Sequence, residues 1–310
     1  MIRSFFILIA LLSSYCAIAQ YRYWPVLGNW KSDAEAAYCA KSYATCVVAY
    51  DTMIAQNKPY FSREALFNQA ACAAKAGDTA RAFECLTRIT DKNYQAVEHL
   101  SDNADFASLY NSPTWQKILA RTTQNRDRFE QYYHLTLPQV RHQLLAMYDE
   151  SQKFQQWSFY RHNYAGMYAE YSEAQLLELK NATFRTQFDT LIQLSKNNGG
   201  TVFGKSKVGV DGAQAFVVLV INANHDPAAQ DAFTRAIEES DSTEFLAGDV
   251  AILTDKRLVH SGLPQRFGTV ITIDASTGKP VAPLVVEDPA QLNARRKAID
   301  LEPLDESWFK

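Results

Sequence analysis

Apolar residues recur at steps of three and four along most of the chain. Between Asp33 and Asn57 this spacing is helical and places one set of residues at three- and four-residue steps. That set is Ala36, Cys39, Tyr43, Cys46, Tyr50 and Met53. After an interruption at Asn57-Lys58-Pro59, residues 63–89 carry two further stripes, separated by a helix stop at Gly77-Asp78. The pattern therefore predicts a helical hairpin over residues 63–89.

The predicted hairpin resembles a tetratricopeptide repeat, a pair of short helices with small residues where their axes approach. The small residues and the turn glycine are Ala70, Ala82 and Gly77. The Asp33–Asn57 segment is similar to a looser second copy. Asp102–Leu119 resembles the segment that closes such arrays, with Trp115 as a packing anchor. Such arrays present a concave surface to a protein or peptide; the alternative is that one or two pairs merely support the second half of the chain.

Helical patterns continue in the second half, at Leu137–Phe154, at residues 183–200 and at residues 244–260. The apolar stretch at residues 211–224 predicts a buried helix, with a buried strand over its centre as the alternative. Asp226-Pro227 is typical of a helix start, with aspartate as the N-cap and proline at the first helical position.

Residues 266–274 alternate between apolar and polar positions and are rich in β-branched side chains, which is typical of a strand. Residues 275–280 contain turn formers, and residues 281–288 have the pattern of a second, returning strand. The fold predicted is mainly α. It consists of tetratricopeptide-like hairpins followed by a mostly helical domain with a small antiparallel β-hairpin near the C-terminus. The predicted division is a tetratricopeptide-like region at 20–121, a connector at 122–136 and a second domain at 137–310.

The first nineteen residues have the composition of a signal peptide. A short basic start precedes an apolar run of about fifteen residues, too short to span a bilayer comfortably. Ala17-Ile18-Ala19 supplies a cleavage signal before Gln20. We therefore expect an exported protein, periplasmic or secreted, without a transmembrane segment in the mature chain. Cys16 raises the alternative of a lipoprotein, against which the large Tyr15 argues.

Export permits disulfides among Cys39, Cys46, Cys72 and Cys85. Cys39 and Cys46 lie too far apart on one helix to bridge. Cys72 and Cys85 could meet across the hairpin, or these cysteines could serve as small buried residues. The histidines show no metal-ligand spacing, and neither a metal nor a cofactor is predicted. A net charge of −3 gives no indication of nucleic acid as a partner.

From about Leu137 onwards, the order of motifs resembles the bacterial domain of unknown function 6624 family (DUF6624). The residues that carry this resemblance are Asp149, VGVDGAQA at 208–215, Asp226-Pro227, Asp255, GLPQRFGT at 262–269 and residues 286–304. Because the family has no established activity, the resemblance implies a domain and not a reaction.

The chain departs from the family pattern at several positions. Ile221-Asn222 stands where the family has Gln-His, although His225 follows about one helical turn later. Asp255-Lys256 replaces Asp-Arg, Phe267 to Val270 replaces Tyr-Gly-Thr-Gln, and Lys153 takes the place of an arginine. A lysine is a point charge that does not substitute for a planar guanidinium at a bidentate site.

Two hypotheses for function follow. In the first, the protein is an exported binding or scaffold protein whose helical repeats bind a protein or peptide. In the second, it is a hydrolase-like enzyme with a polar site around Asp149, Asp255 and Gln265. No catalytic residue is assigned. The candidates for a ligand or functional surface are Asp149, His225, Asp255, Lys256, Gln265, Thr269, Arg295 and Arg296. Each also has a structural explanation, since Gln265 can satisfy buried backbone and the aspartates can cap or pair.

Overall fold

The computed structural model describes residues 32–56, 63–163, 172–272, 281 and 284–309. It confirms a mainly helical chain. The described residues form two compact units, and the division falls between Phe184 and Arg185. We call them the N-terminal and the C-terminal unit. The signal peptide predicted at residues 1–19 lies outside the described residues.

The N-terminal unit is built from consecutive helices. They are α1 (Ser32–Cys39), α2 (Tyr43–Gln56), α3 (Arg63–Ala76), α4 (Thr79–Asp91), α5 (Val97–Ser101), a 3₁₀ helix (Ala104–Leu109), α6 (Pro113–Tyr132) and α7 (Pro138–Asn163). The division between the units falls within α8 (Glu173–Asn197). The predicted hairpin at 63–89 is confirmed as α3 and α4. Gly77 is at a φ of 80°, and Asp78 accepts a hydrogen bond from the Arg81 amide at 3.0 Å. The tetratricopeptide-like arrangement of the helices remains a prediction.

The helical pattern predicted over Asp33–Asn57 is confirmed as two helices, because α1 ends before α2 begins. The Ser42 amide donates to the Ala37 carbonyl at 2.8 Å, and the Lys41 amide donates to the Tyr38 carbonyl at 2.9 Å. These two bonds form a Schellman closure, with Lys41 in the left-handed position at a φ of 58°. No glycine marks this closure, and the apolar spacing continues through it, so periodicity alone did not reveal it.

A disulfide joins Cys46 in α2 to Cys72 in α3, with their Cα atoms 5.9 Å apart. Of the two alternatives that the sequence left open, a bridge between Cys72 and Cys85 is wrong. Cys85 is a buried free thiol whose Sγ lies 3.2 Å from Oε1 of Gln69. Trp115 is confirmed as a packing anchor. It is fully buried, and its ring centroid lies 5.7 Å from that of Phe106.

The C-terminal unit contains α9 (Lys205–Ile221), α10 (Pro227–Glu238), α11 (Ala247–His260), a 3₁₀ helix (Pro289–Gln291), α12 (Leu292–Lys297) and a 3₁₀ helix (Glu306–Trp308). The apolar stretch inside 211–224 is helical rather than a strand, and Phe216 packs on Phe203 and Phe233 in its core. The predicted cap at Asp226 is confirmed by a 3.0 Å bond from the Ala229 amide.

The antiparallel β-hairpin predicted near the C-terminus is not present in the described residues. Isolated parallel bridges pair Gln265 with Val286 and Leu284 with Phe309. The predicted turn at 275–280 lies outside the described residues. The hairpin does not form at residues 266–270 because side chains occupy the main-chain groups that a ladder would use, as described next.

Candidate functional site

Asp255 in α11 is fully buried and is the centre of a hydrogen-bond cluster. Its Oδ1 accepts from the amides of Arg266 and Phe267 at 2.7 and 3.0 Å. Its Oδ2 accepts from the Thr269 amide and from the Thr269 hydroxyl, both at 2.8 Å. Successive main-chain N–H groups thus surround a carboxylate, the arrangement that elsewhere binds free anions. Here the anion is the protein's own side chain.

Both polar atoms of the Gln265 side-chain amide form hydrogen bonds with the main chain of Val270. Its Nε2 donates to the Val270 carbonyl at 3.0 Å, and the Val270 amide donates to its Oε1 at 2.8 Å. The side chain therefore takes the place of a neighbouring strand. Because Gln265 is buried, both polar atoms of the amide need these partners.

Arg295 and Arg296 bind the carbonyl groups of the same loop. Arg296 is buried, and its Nη1 and Nε donate to the carbonyls of Phe267 and Glu302 at 2.6 and 2.7 Å. Burial lowers the pKa of Arg296, while the charge of Asp255 opposes that shift. Nε of Arg295 donates to the Arg266 carbonyl at 2.8 Å. We call residues 265–270 the clasp loop: its amides bind Asp255, and its carbonyls bind the two arginines.

A second group of candidates lies at the C-terminal end of α9. Nζ of Lys256 donates to the carbonyl of Ile221. Burial lowers the pKa of Lys256 to about 8. The next residue, Asn222, holds its Nδ2 buried, without a hydrogen-bond partner among the described residues. His225 is exposed and presents its ring at 5.6 Å to Phe188. Two positions at which the chain departs from the family pattern, 221–222 and 256, are thus in contact.

The structure groups the sequence-predicted residues into two sets in the C-terminal unit and leaves one elsewhere. Asp255, Gln265, Thr269, Arg295 and Arg296 meet at the clasp loop, whereas Lys256 and His225 lie at the end of α9. Asp149 belongs to α7 in the N-terminal unit, where it is half-buried and engaged in interactions of its own.

Sequence reasoning missed the role of Gln230. This buried side chain donates from Nε2 to the Val220 carbonyl at 2.6 Å and so covers the last turn of α9. It lies four and seven residues before Thr234 and Ile237, on the buried face of α10, and this spacing is the signal that could have identified it.

Across the residues that the structure describes, no three histidine, cysteine or acidic side chains are grouped as metal ligands would be. Nor does any described helix combine the length and apolar character needed to cross a membrane.

The model of DUF6624, a family of unknown function, matches residues 138–309, more than half of the chain. This match confirms the resemblance noted from about Leu137 onwards. No curated protein and no solved structure matches the chain.

Proposed function

The chain belongs to DUF6624, and from this premise we propose that it is an exported binding or scaffold protein that holds a protein or peptide partner through its N-terminal unit. The observation that carries the proposal is the exposed aromatic end of α6. Tyr132 and Tyr133 are 75% and 57% exposed and lie in edge contact, their ring centroids 4.9 Å apart. Exposed tyrosines are enriched in the centres of protein interfaces.

Basic residues continue this surface along α6. Lys117, Arg121 and Arg128 are exposed, and their spacing of four and seven residues places them on one side of the helix. Nη2 of Arg128 donates to the neutral Oδ1 of Asn125 at 2.6 Å. In the described part of the chain no carboxylate forms an ion pair with these three side chains. A cationic stripe that ends in exposed tyrosines favours a partner with an acidic segment.

The export part of the proposal is supported by the Cys46–Cys72 disulfide. Disulfides persist in oxidising compartments and are rare where thiols are kept reduced. The signal peptide expected at residues 1–19 points to the same compartments.

The enzyme alternative finds less support at the clasp loop. A catalytic carboxylate or amide must direct at least one polar atom at a substrate. Both oxygens of Asp255 and both polar atoms of Gln265 are directed at main-chain groups instead. Their engagement favours a role in fixing the loop.

The proposal is tested by affinity capture with the full mature chain from a nuclease-treated envelope fraction. We expect the captured partner to be lost when Tyr132 and Tyr133 are both changed to serine, and to elute at raised ionic strength. The matched control is Leu177→Ser, which alters an exposed apolar residue of α8. Equal capture by the wild type and the double variant would contradict the proposal.

Export is tested separately by expressing the full chain in a bacterial host and fractionating the cells. We expect a processed chain outside the cytoplasm with its Cys46–Cys72 bond formed, as thiol labelling and mass spectrometry would show. An unprocessed, reduced chain in the cytoplasm would contradict this part.

A further inference from the structure

Lys256 is a largely buried cation whose hydrogen-bond acceptor is a neutral one. Its Nζ donates to the carbonyl of Ile221, which leaves two of the three ammonium donors free for other groups. Burial causes the lowered pKa of this side chain, and no carboxylate contributes to the shift. A buried charge without a counter-charge is costly, so buried charges in proteins are normally paired.

Asn222 adds a second unused donor at the same end of α9. It is the residue that follows Ile221, at the C-cap of α9, and its Nδ2 is buried with no acceptor among the described residues. Buried donors of this kind are rare in native proteins because each loses its bond to water without replacement. Since Lys256 bonds to the carbonyl of the preceding residue, two unused donors belong to one helix end, which packing alone does not explain.

The last main-chain carbonyls of this corner are already occupied. Those of Val220 and Ile221 accept from Gln230 Nε2 and Lys256 Nζ, so that the negative end of α9 is covered. The Oδ1 of Asp226 accepts from the Ala229 amide, and both oxygens of Asp255 accept from the clasp loop. Lys256 and Asn222 therefore contribute unused donors at the end of α9, one of them on a positive charge.

We propose that Lys256 and Asn222 form a binding site for the anionic group of a small ligand, a carboxylate or a phosphate. The ammonium of Lys256 supplies the charge, the Asn222 amide supplies a directed hydrogen bond, and exposed His225 lies at the rim. This site belongs to the C-terminal unit and is independent of the partner surface on α6.

Thermal unfolding of the full chain tests for the site. Acetate and inorganic phosphate serve as separate probes, each compared with chloride at equal ionic strength. A ligand that binds only the folded state raises Tm, and we expect a rise of about 3 °C for the anion that fits. If only acetate raises Tm, the site binds a carboxylate. If only phosphate raises Tm, the site binds a phosphate. No rise with either anion overturns the proposal.

Lys256→Met distinguishes a ligand site from a structural cap. If the ammonium is kept for a ligand, its replacement by a neutral side chain of similar length raises Tm in chloride and abolishes the response to the anion. If Lys256 only caps α9, the same change lowers Tm, which contradicts the proposal. Lys297→Met, at an exposed position of α12, is the matched control and keeps the full response.

Asn222→Asp provides an independent test should the first variant fail to fold. A carboxylate at this position offers Lys256 the counter-charge that the ligand would supply. We expect this variant to unfold at a higher temperature than the wild type in chloride and to lose its response to added anion. Retention of the wild-type response by Asn222→Asp would overturn the proposal.

Discussion

The α3–α4 hairpin in the N-terminal unit and the clasp loop in the C-terminal unit satisfy their main-chain hydrogen bonds in opposite ways. In the hairpin, the helices satisfy their own amides and carbonyls, and side chains such as Leu66 and Leu86 contribute apolar packing. In the clasp loop, buried polar side chains bind the amides and carbonyls directly.

This difference predicts how each region tolerates change. A helix keeps its backbone hydrogen bonds when one side chain is altered, so the loss of stability is limited to the packing contacts of that side chain. The clasp loop loses main-chain partners when Asp255 or Gln265 is altered, and an unsatisfied buried group costs more than a missing contact.

Asp255→Asn should be the most damaging of these changes. An amide nitrogen would then face main-chain N–H groups that now bind a carboxylate oxygen, and we expect a loss of about 3–5 kcal/mol. Urea unfolding of the full chain would measure it. Asp231→Asn is the control: it pairs with exposed Arg235 at 2.8 Å and with Arg257 at 3.7 Å near the surface, and its loss should be much smaller. Similar losses for the two variants would show that the clasp loop does not depend on Asp255.

Removal of the Cys46–Cys72 bond tests the corresponding constraint in the helical region. The bond spans a sequence separation of 26 residues. The chain-entropy relation assigns a loop of that size about 3.5 kcal/mol of stability. Urea unfolding with and without a reductant should show this difference in the wild type and in Cys85→Ala. The Cys46→Ala/Cys72→Ala variant should be insensitive to the reductant. A wild type whose unfolding the reductant leaves unchanged would argue against a stabilising bond.

Gln265→Ala should cost about 1–3 kcal/mol, since it removes one buried amide and leaves the Val270 main chain without its two bonds. Amide hydrogen exchange localises the effect, because protection of the Val270 amide should fall while protection within α11 persists. Gln291→Ala, at an exposed position, is the control. An unchanged melting temperature together with unchanged Val270 protection would refute the structural role and return Gln265 to the list of functional candidates.

Ionisation of Cys85 should have the smallest effect on stability, because the free energy of unfolding should not depend on it near neutral pH. Burial raises the pKa of its thiol from 9.0 to about 11, so the folded state keeps the proton that the unfolded state releases first. The free energy of unfolding should therefore be unaffected below about pH 9 and should fall as the pH rises towards 11. Cys85→Ala should lack this fall. Rapid labelling of Cys85 by a thiol reagent at pH 7.5 would contradict the burial on which the expectation rests.

Much of the helical architecture was predictable because its signals are local. The α3–α4 hairpin followed from two apolar stripes and Gly77, and the start of α10 followed from Asp226-Pro227. The Schellman closure at Lys41 escaped prediction although it is equally local, since a lysine adopts the left-handed conformation there without any characteristic residue type.

The candidate site was predictable as a list of residues but not as an arrangement. Asp255, Gln265, Arg295 and Arg296 were named from the sequence, yet their targets are main-chain groups, which every residue possesses and no sequence pattern identifies. The β-hairpin was predicted from alternation and β-branching. That prediction failed because the side chains of Asp255 and Gln265 compete with a partner strand for the same amides.

The sequence by itself determined where helices form and several of the residues that begin and end them, because helical periodicity and capping act between residues within a few positions of one another. Tertiary structure decided that Cys46 pairs with Cys72, that Asp255 closes the clasp loop, and that Lys256 bonds to the Ile221 carbonyl. These contacts join residues 26, 11 to 14 and 35 positions apart. They depend on which helix faces meet, and burial then decides whether each polar group has a partner.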